Sequence, residues 1–479
     1  MKQILIVVLS AALLTACNKF DSEINRNPNL PSQASNTQLL ANAMRSLPGL
    51  SSNPQGNLYA QHLSETMFTD ISRYNVVFYN FYGLYTGPLM NIEQVLKAKQ
   101  YNSNEGPASN QIAVAKILKA YFFWHATDRW GDLPYTDALK GRDDFTPAYD
   151  RQQVIYDSIF RLLDEANAMI VSGSIKNDIV YGGDVTKWKK LGNTIHLLAA
   201  LRLSKVDAVK ASAEFNKALT AGIMTSNGDN LVYKHLADAN NENYWYNVFT
   251  VLNRRWYAVS EPLVNYMKPL NDPRLPIYAN KNAAGNYVGL KFGLPGDVVN
   301  TGQYVLNNIS LLRDSLRLQN SPVQLVTYAE ALFAKAEAAK RGWIPGGDAE
   351  AKTNYDLAVE QSIRQWFSVF RPAYAFTTEI TAYLTQPGVV YDPANALQQI
   401  ATQKWVHLFL NGYEAWAEWR RTGFPALAPP DNNSGKPIPR REGYPTNERL
   451  NNASNYNDAV QRQFGGADDL NGRVWWDKP

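Results

Sequence analysis

Apolar residues recur at three- and four-residue spacing through most of the chain, and that period predicts helices. Residues 112–125 place Val114, Ile117, Leu118, Tyr121, Phe122 and His125 on one face. Residues 152–171 do the same with Ile155, Ile159, Leu162, Leu163, Ala166 and Ile170. Further faces run over 187–206 (Trp188, Leu191, Ile195, Leu198), 324–341 (Leu325, Ala329, Leu332, Phe333, Ala336) and 353–370 (Val359, Ile363, Trp366, Phe370). Near 284–306 Gly mixes with Val and Tyr, which allows short extended segments but no predicted sheet.

The predicted helices fall into pairs: 112–127 with 149–171, 187–206 with 208–221, 323–341 with 353–368, and 396–410 with 412–420. The stretch from Tyr328-Ala329-Glu330-Ala331 to Arg341-Gly342-Trp343, followed by Tyr355 and Ala358, is similar to a tetratricopeptide unit, in which small residues let paired helices approach closely. Insertions of unequal length separate the pairs. The expected fold is therefore all-α, a scaffold of tetratricopeptide-like helix pairs with long irregular loops. Those loops, at 51–87, 226–260, 271–310 and 371–393, are rich in Gly, Pro, Asn and aromatics, and loops on a rigid scaffold are where recognition concentrates.

Composition narrows the function. The 479 residues are 45% hydrophobic and 12% aromatic, enough for a sizeable core. Forty-seven basic residues nearly cancel 43 acidic ones, which argues against a nucleic-acid binder. Asn numbers 45, beside 27 Tyr and 12 Trp, so uncharged hydrogen-bonding and stacking groups are abundant.

The single Cys lies at position 17, behind Lys2 and an apolar run from Ile4 to Leu14. Eleven residues are too few for a bilayer span, which needs roughly 20, but suit a secretory signal. Leu14-Thr15-Ala16-Cys17 resembles a bacterial lipobox, so Cys17 is the expected site of lipid attachment. The polar, Pro-broken stretch that follows, with Asn27-Pro28-Asn29-Leu30-Pro31, has the composition of a tether.

Catalytic signatures are missing. The sequence holds no His-Glu-x-x-His, Gly-x-Ser-x-Gly, P-loop or dinucleotide fingerprint. Five His and one Cys do not suit a zinc site. Glu414 with Glu418, and Asp128 with Asp132, are spaced as carboxylate pairs that glycoside hydrolysis could use. No cofactor is expected, although loops such as Asp143-Asp144 leave a structural Ca²⁺ open.

Sugar binding needs aromatic faces flanked by amides and guanidinium groups. Two stretches offer that mixture: Arg73-Tyr74-Asn75 through Tyr79, Asn80, Tyr82 and Tyr85, and Asn243-Tyr244-Trp245-Tyr246-Asn247 through Arg254, Arg255, Trp256 and Tyr257. The candidate ligand residues are Arg73, Tyr74, Tyr79, Tyr82, Trp245, Arg255 and Trp256. The competing expectation is aromatic packing against the scaffold, and about half of these residues should do that. Consecutive aromatics at 244–246 cannot all face one core, so at least one should be exposed.

Seven phrases in order carry a family resemblance. They are the lipobox with Asn27-Pro28-Asn29, Asp128-Arg129-Trp130-Gly131-Asp132-Leu133-Pro134-Tyr135-Thr136, Asn271-Asp272-Pro273-Arg274-Leu275-Pro276, Asn411-Gly412-Tyr413-Glu414-Ala415-Trp416, Glu418-Trp419-Arg420-Arg421-Thr422-Gly423-Phe424-Pro425, Pro439-Arg440-Arg441 with Tyr444-Pro445, and Val474-Trp475-Trp476-Asp477. Together they resemble the SusD/RagB family of outer-membrane nutrient-binding lipoproteins. The resemblance implies a non-enzymatic protein, lipid-anchored at the cell surface, that captures glycan, or in some members peptide, as a lid on a SusC-like TonB-dependent transporter. It implies a signal peptide over 1–16, a lipidated tether over 17–36 and a single nutrient-binding domain over 37–479. Trp130, Trp416 and Trp419 are expected to pack helices, and Arg440 and Arg441 to hold loop carbonyls or carboxylates. A lipid-anchored glycosidase or peptidase, and a tetratricopeptide adaptor that binds only proteins, are the competing classes.

Overall fold

A computed structural model describes residues 34–370 and 376–479, so Cys17 and most of the tether fall outside the described residues. The protein is predominantly helical. Helix α1 (Asn36–Met44) starts one residue before the expected boundary at 37, set by a Ser35/Gln38 capping box that satisfies otherwise orphaned N–H groups. After α2 (Pro54–Tyr59) and α3 (Met90–Leu96) come the paired helices. They are α4 (Ala108–Trp130) with α5 (Gln152–Met169), α6 (Val185–Arg202) with α7 (Ala208–Ala221), and α8 (Tyr328–Lys340) with α9 (Gly347–Phe370). The chain then forms α10 (Ala396–His407), α11 (Gly412–Thr422) and, near its end, α12 (Ala453–Phe464).

The tetratricopeptide-like pairing holds for the first three pairs. The fourth differs, because α11 packs mainly on the distant α2 rather than on its neighbour α10. The cause is local: a Cβ on Gly412 would lie 2.0 Å from the Asn57 nitrogen, and one on Gly56 2.4 Å from the Tyr413 nitrogen. Two glycines thus let the backbones touch, a contact closed to any other residue.

Charges tie the pairs together in the middle of the fold. Arg202 from α6 is fully buried and meets Asp128 of α4 at 3.1 Å, Glu414 of α11 at 2.6 Å, and Glu418. Arg421 forks onto both oxygens of Glu337 from α8, each at 2.6 Å, and Lys404 of α10 reaches Glu418 at 3.0 Å. Burial pushes the Glu337 carboxyl up, but Arg421 and Arg341 outweigh it and hold it at about 2. Arg202, Arg421, Lys404, Asp128, Glu337, Glu414 and Glu418 each have an oppositely charged partner, which is the condition for tolerating a buried charge.

Three short antiparallel strand pairs fasten the loops: β1 (Leu63–Glu65) with β5 (Tyr257–Val259), β2 (Leu133–Pro134) with β3 (Tyr149–Asp150), and β4 (Leu231–Tyr233) with β6 (Val323–Val326). The 284–306 region forms no named strand but carries Leu290, Leu294 and Val299 into a small second apolar cluster with Ala258 and Ile309. Trp130 and Trp416 are fully buried, and Trp419 is half-buried with its indole N–H on the Pro425 carbonyl. Arg440 binds Asp477 at 2.8 Å, and Arg441 binds Asp468 at 2.6 Å.

Candidate ligand-binding surface

The β1–β5 pair ends with Glu65 opposite Tyr257. Thr66 adds two further hydrogen bonds across the pair, from its N–H to the Trp256 carbonyl at 2.8 Å and from its hydroxyl to the Arg255 carbonyl. Beyond it Met67 and Phe68 rise out of the body, and Phe68 adopts a left-handed φ of +56°. Such a backbone is unfavourable for an aromatic residue and concentrates at binding sites. Underneath, the buried Glu65 carboxylate accepts from the Ser72 N–H at 2.8 Å and the Ser72 hydroxyl at 2.6 Å, which closes the 66–72 loop. Burial lifts the Glu65 pKa to about 7 despite those hydrogen bonds.

Phe68 is 64% exposed and stands edge-on to Trp256, with ring centroids 5.2 Å apart. The Arg254 guanidinium lies 4.4 Å from the Trp256 ring centre. Trp256 is half-buried, so it props the group while Phe68 offers the open ring face. Arg255, Val251 and Leu252 are exposed on the same chain segment. An exposed apolar ridge edged by guanidinium groups offers the group types that a recognition surface uses.

The sequence-based candidates separate. Trp256 and Arg255 belong to this ridge. Trp245 is 2% exposed and edge-on to Tyr257, and Tyr74 is 2% exposed between Tyr59 and Phe292. Both are core residues that no ligand can reach, so they are withdrawn as stacking candidates. Of the three consecutive aromatics, Tyr244 is the exposed one. Arg73 spends its guanidinium on the carbonyls of Gly293 (2.8 Å), Asp431 (3.2 Å) and Asn432, which makes it a clamp between loops. Tyr79 shares a 3.0 Å hydroxyl contact with buried Tyr59 and packs on the core. Tyr82 keeps a half-exposed ring but faces a different cleft, its hydroxyl on Glu448. Met67 and Phe68 were missed. Their signal was two large apolar residues inside the polar run from Ser64 to Asp70.

The carboxylate pairs are not hydrolytic. Asp128, Glu414 and Glu418 are wrapped around Arg202 and Arg421, and Asp132 is held by Arg462 at 2.6 Å. Among the described residues no three His, Cys, Asp or Glu side chains are grouped to hold a metal ion, and no helix is long and apolar enough to cross a membrane.

A family model described as SusD-like, starch-binding associating with outer membrane, matches residues 28–445. The chain belongs to the SusD-like family. Comparison with curated proteins returns no match. Among solved structures, a chitin-binding protein is 32% identical with a TM-score of 0.81, covering 93% of this chain and 100% of that one. A Bacteroides vulgatus outer-membrane protein described as involved in nutrient binding is 26% identical with a TM-score of 0.82, over the same 93% and 100%. A SusD homologue from Bacteroides fragilis is 27% identical with a TM-score of 0.80 and equal coverage. This SusD-like protein is thus a binding protein and not an enzyme.

Proposed function

We propose that this SusD-like protein is a surface lipoprotein, anchored through Cys17, that captures oligo- or polysaccharide on the Phe68–Trp256 ridge and delivers it to a SusC-like TonB-dependent outer-membrane transporter. The observation that carries the binding step is the exposed Phe68 ring edge-on to Trp256, whose own ring carries the Arg254 guanidinium. A pyranose presents an apolar C–H face to such a ring and hydroxyls to the neighbouring Arg254 and Arg255 donors. Affinity without chemistry is what a handover protein needs, because a ligand held too tightly would not leave. The 32%-identical chitin-binding structure makes chitin-type oligosaccharides the first ligands to try.

The family and the lipobox at Leu14–Cys17 support the delivery and anchoring parts of this reading. The test of the binding step is affinity electrophoresis through gels containing glycol chitin, starch or xylan, beside titration with a peptide mixture. Retardation by one polysaccharide, relieved in Phe68→Ala, supports the reading. Binding of peptides with no retardation by any glycan would transfer the ridge to the peptide-binding branch of the family.

A further inference from the structure

The loop that begins at the Phe68 ridge continues to a second concave surface. Tyr82, Tyr85 and Met90 form one wall of a cleft of about 340 Å³, and the 137–147 loop forms the other with Leu139 and Phe145. That volume falls at the small end of sites that hold organic ligands. None of the ridge residues lines it.

Three features separate this cleft from an ordinary surface groove. Phe145 is 76% exposed and has no ring partner among the described residues, so its apolar area is left to water at the cleft mouth. The opposite wall is rigid. The Glu448 carboxylate accepts from the Tyr82 hydroxyl and, through its other oxygen, from the Tyr149 hydroxyl, which fixes the Tyr82 ring while half of it stays open. The rim keeps spare hydrogen-bonding capacity. Lys140 uses one donor on Asp137, Asp144 uses one oxygen on the Thr146 N–H, and the Asn451 side chain is exposed. Aromatic side chains lining one cleft, with amine, amide and carboxylate groups beside them, match a neutral polyhydroxylated ring, which has apolar faces and a polar edge.

We propose that the cleft between Tyr82 and Phe145 is a second carbohydrate-binding pocket, holding a sugar ring between the two aromatic walls independently of the Phe68–Trp256 ridge. This rests on the glycan-binding reading above. Two separate contacts on one rigid body would retain a long polymer far better than a short fragment, because binding at one raises the effective concentration at the other.

The experiment is isothermal titration of the full chain with chitotriose, maltotriose and xylotriose, using the wild type, Phe68→Ala, Phe145→Ala and the double variant. Phe145 is exposed, and an unchanged melting temperature will show that its variant is folded. The expected result is two molecules of one trisaccharide per wild-type chain, one per chain in each single variant and none in the double. Retention on the corresponding polysaccharide gel should fall by about tenfold or more in Phe145→Ala. One molecule per wild-type chain, lost in Phe68→Ala and unaffected by Phe145→Ala, would overturn the pocket and leave the ridge standing. One molecule lost only in Phe145→Ala would support the pocket and overturn the ridge. A wild type that binds no trisaccharide and no polysaccharide would overturn both.

Discussion

Gly56 on α2 and Gly412 on α11 meet backbone to backbone, so close that a Cβ on Gly412 would sit 2.3 Å from the Gly56 carbonyl carbon. This contact places the 411–421 segment, with its Glu414, Glu418 and Arg421, against the rest of the charged centre. Gly412→Ala should therefore cost about 1–3 kcal/mol of stability through backbone displacement. Chemical denaturation read by tryptophan fluorescence will measure it, and a variant as stable as wild type would show that the helices can separate freely.

The charged centre itself makes a second expectation. Arg202 is enclosed by Asp128, Glu414 and Glu418. Arg202→Met leaves three carboxylates without their shared cation, at a cost of about 3–5 kcal/mol. Loss of less than 1 kcal/mol on the same denaturation curve would mean that water or Lys404 compensates.

Packing and binding aromatics should respond oppositely. Phe68→Ala should weaken glycan binding by roughly 1–2 kcal/mol with little change in melting, since its ring is exposed. Trp245→Ala, deep in the core, should cost about 3–5 kcal/mol of stability while the folded fraction binds normally. Melting and affinity measured on the same preparations decide the matter, and an affinity loss confined to Trp245→Ala would reverse the assignment.

Glu330 supplies a pH dependence. It is buried at the start of α8, where it accepts from the Thr327 N–H at 2.8 Å, and burial, with Glu414 adding to it against Lys404, raises its pKa from 4.5 to about 8. Between those values the folded chain keeps a proton that the unfolded chain has lost. Stability from this group is thus complete below about pH 4.5 and falls as pH rises to about 8. Glu330→Gln mimics the protonated form and should remove that decline, gaining on the order of 2–4 kcal/mol over wild type at pH 9 and little at pH 4.5. Parallel pH profiles for the two proteins would show that Glu330 is ionised in the fold throughout.

Cys17→Ala tests the anchor. The variant should appear outside the membrane fraction and lack lipid mass on its N-terminal peptide. Unchanged partitioning, with no lipid on the wild type, would remove the lipoprotein assignment.

The helical scaffold was legible in the chain because its information is local. The three-and-four spacing at 112–125 and 152–171 appears as α4 and α5, longer or shorter by a few residues at the ends. Capping decided those ends: the Thr327/Glu330 box starts α8 at Tyr328, four residues after the apolar pattern begins, and the preceding residues Val323–Val326 became β6 instead. The family phrases were legible for the same reason, being short runs that build single turns and contacts.

What the sequence could not show was which aromatic faces water. Tyr74, Trp245 and Trp256 stand in similar polar, aromatic runs, yet two are core and one is on the ridge. Burial depends on what arrives from elsewhere in the chain. Tyr59 and Phe292 cover Tyr74, Tyr257 covers Trp245, and the β1–β5 ladder brings Phe68 against Trp256. The donors of Arg73 were likewise assigned by carbonyls at 293 and 431–432 that no local pattern announces. Local periodicity determined the helices and the family; long-range strand pairing and loop closure decided which aromatics are exposed, because exposure is a property of the assembled chain and not of any segment.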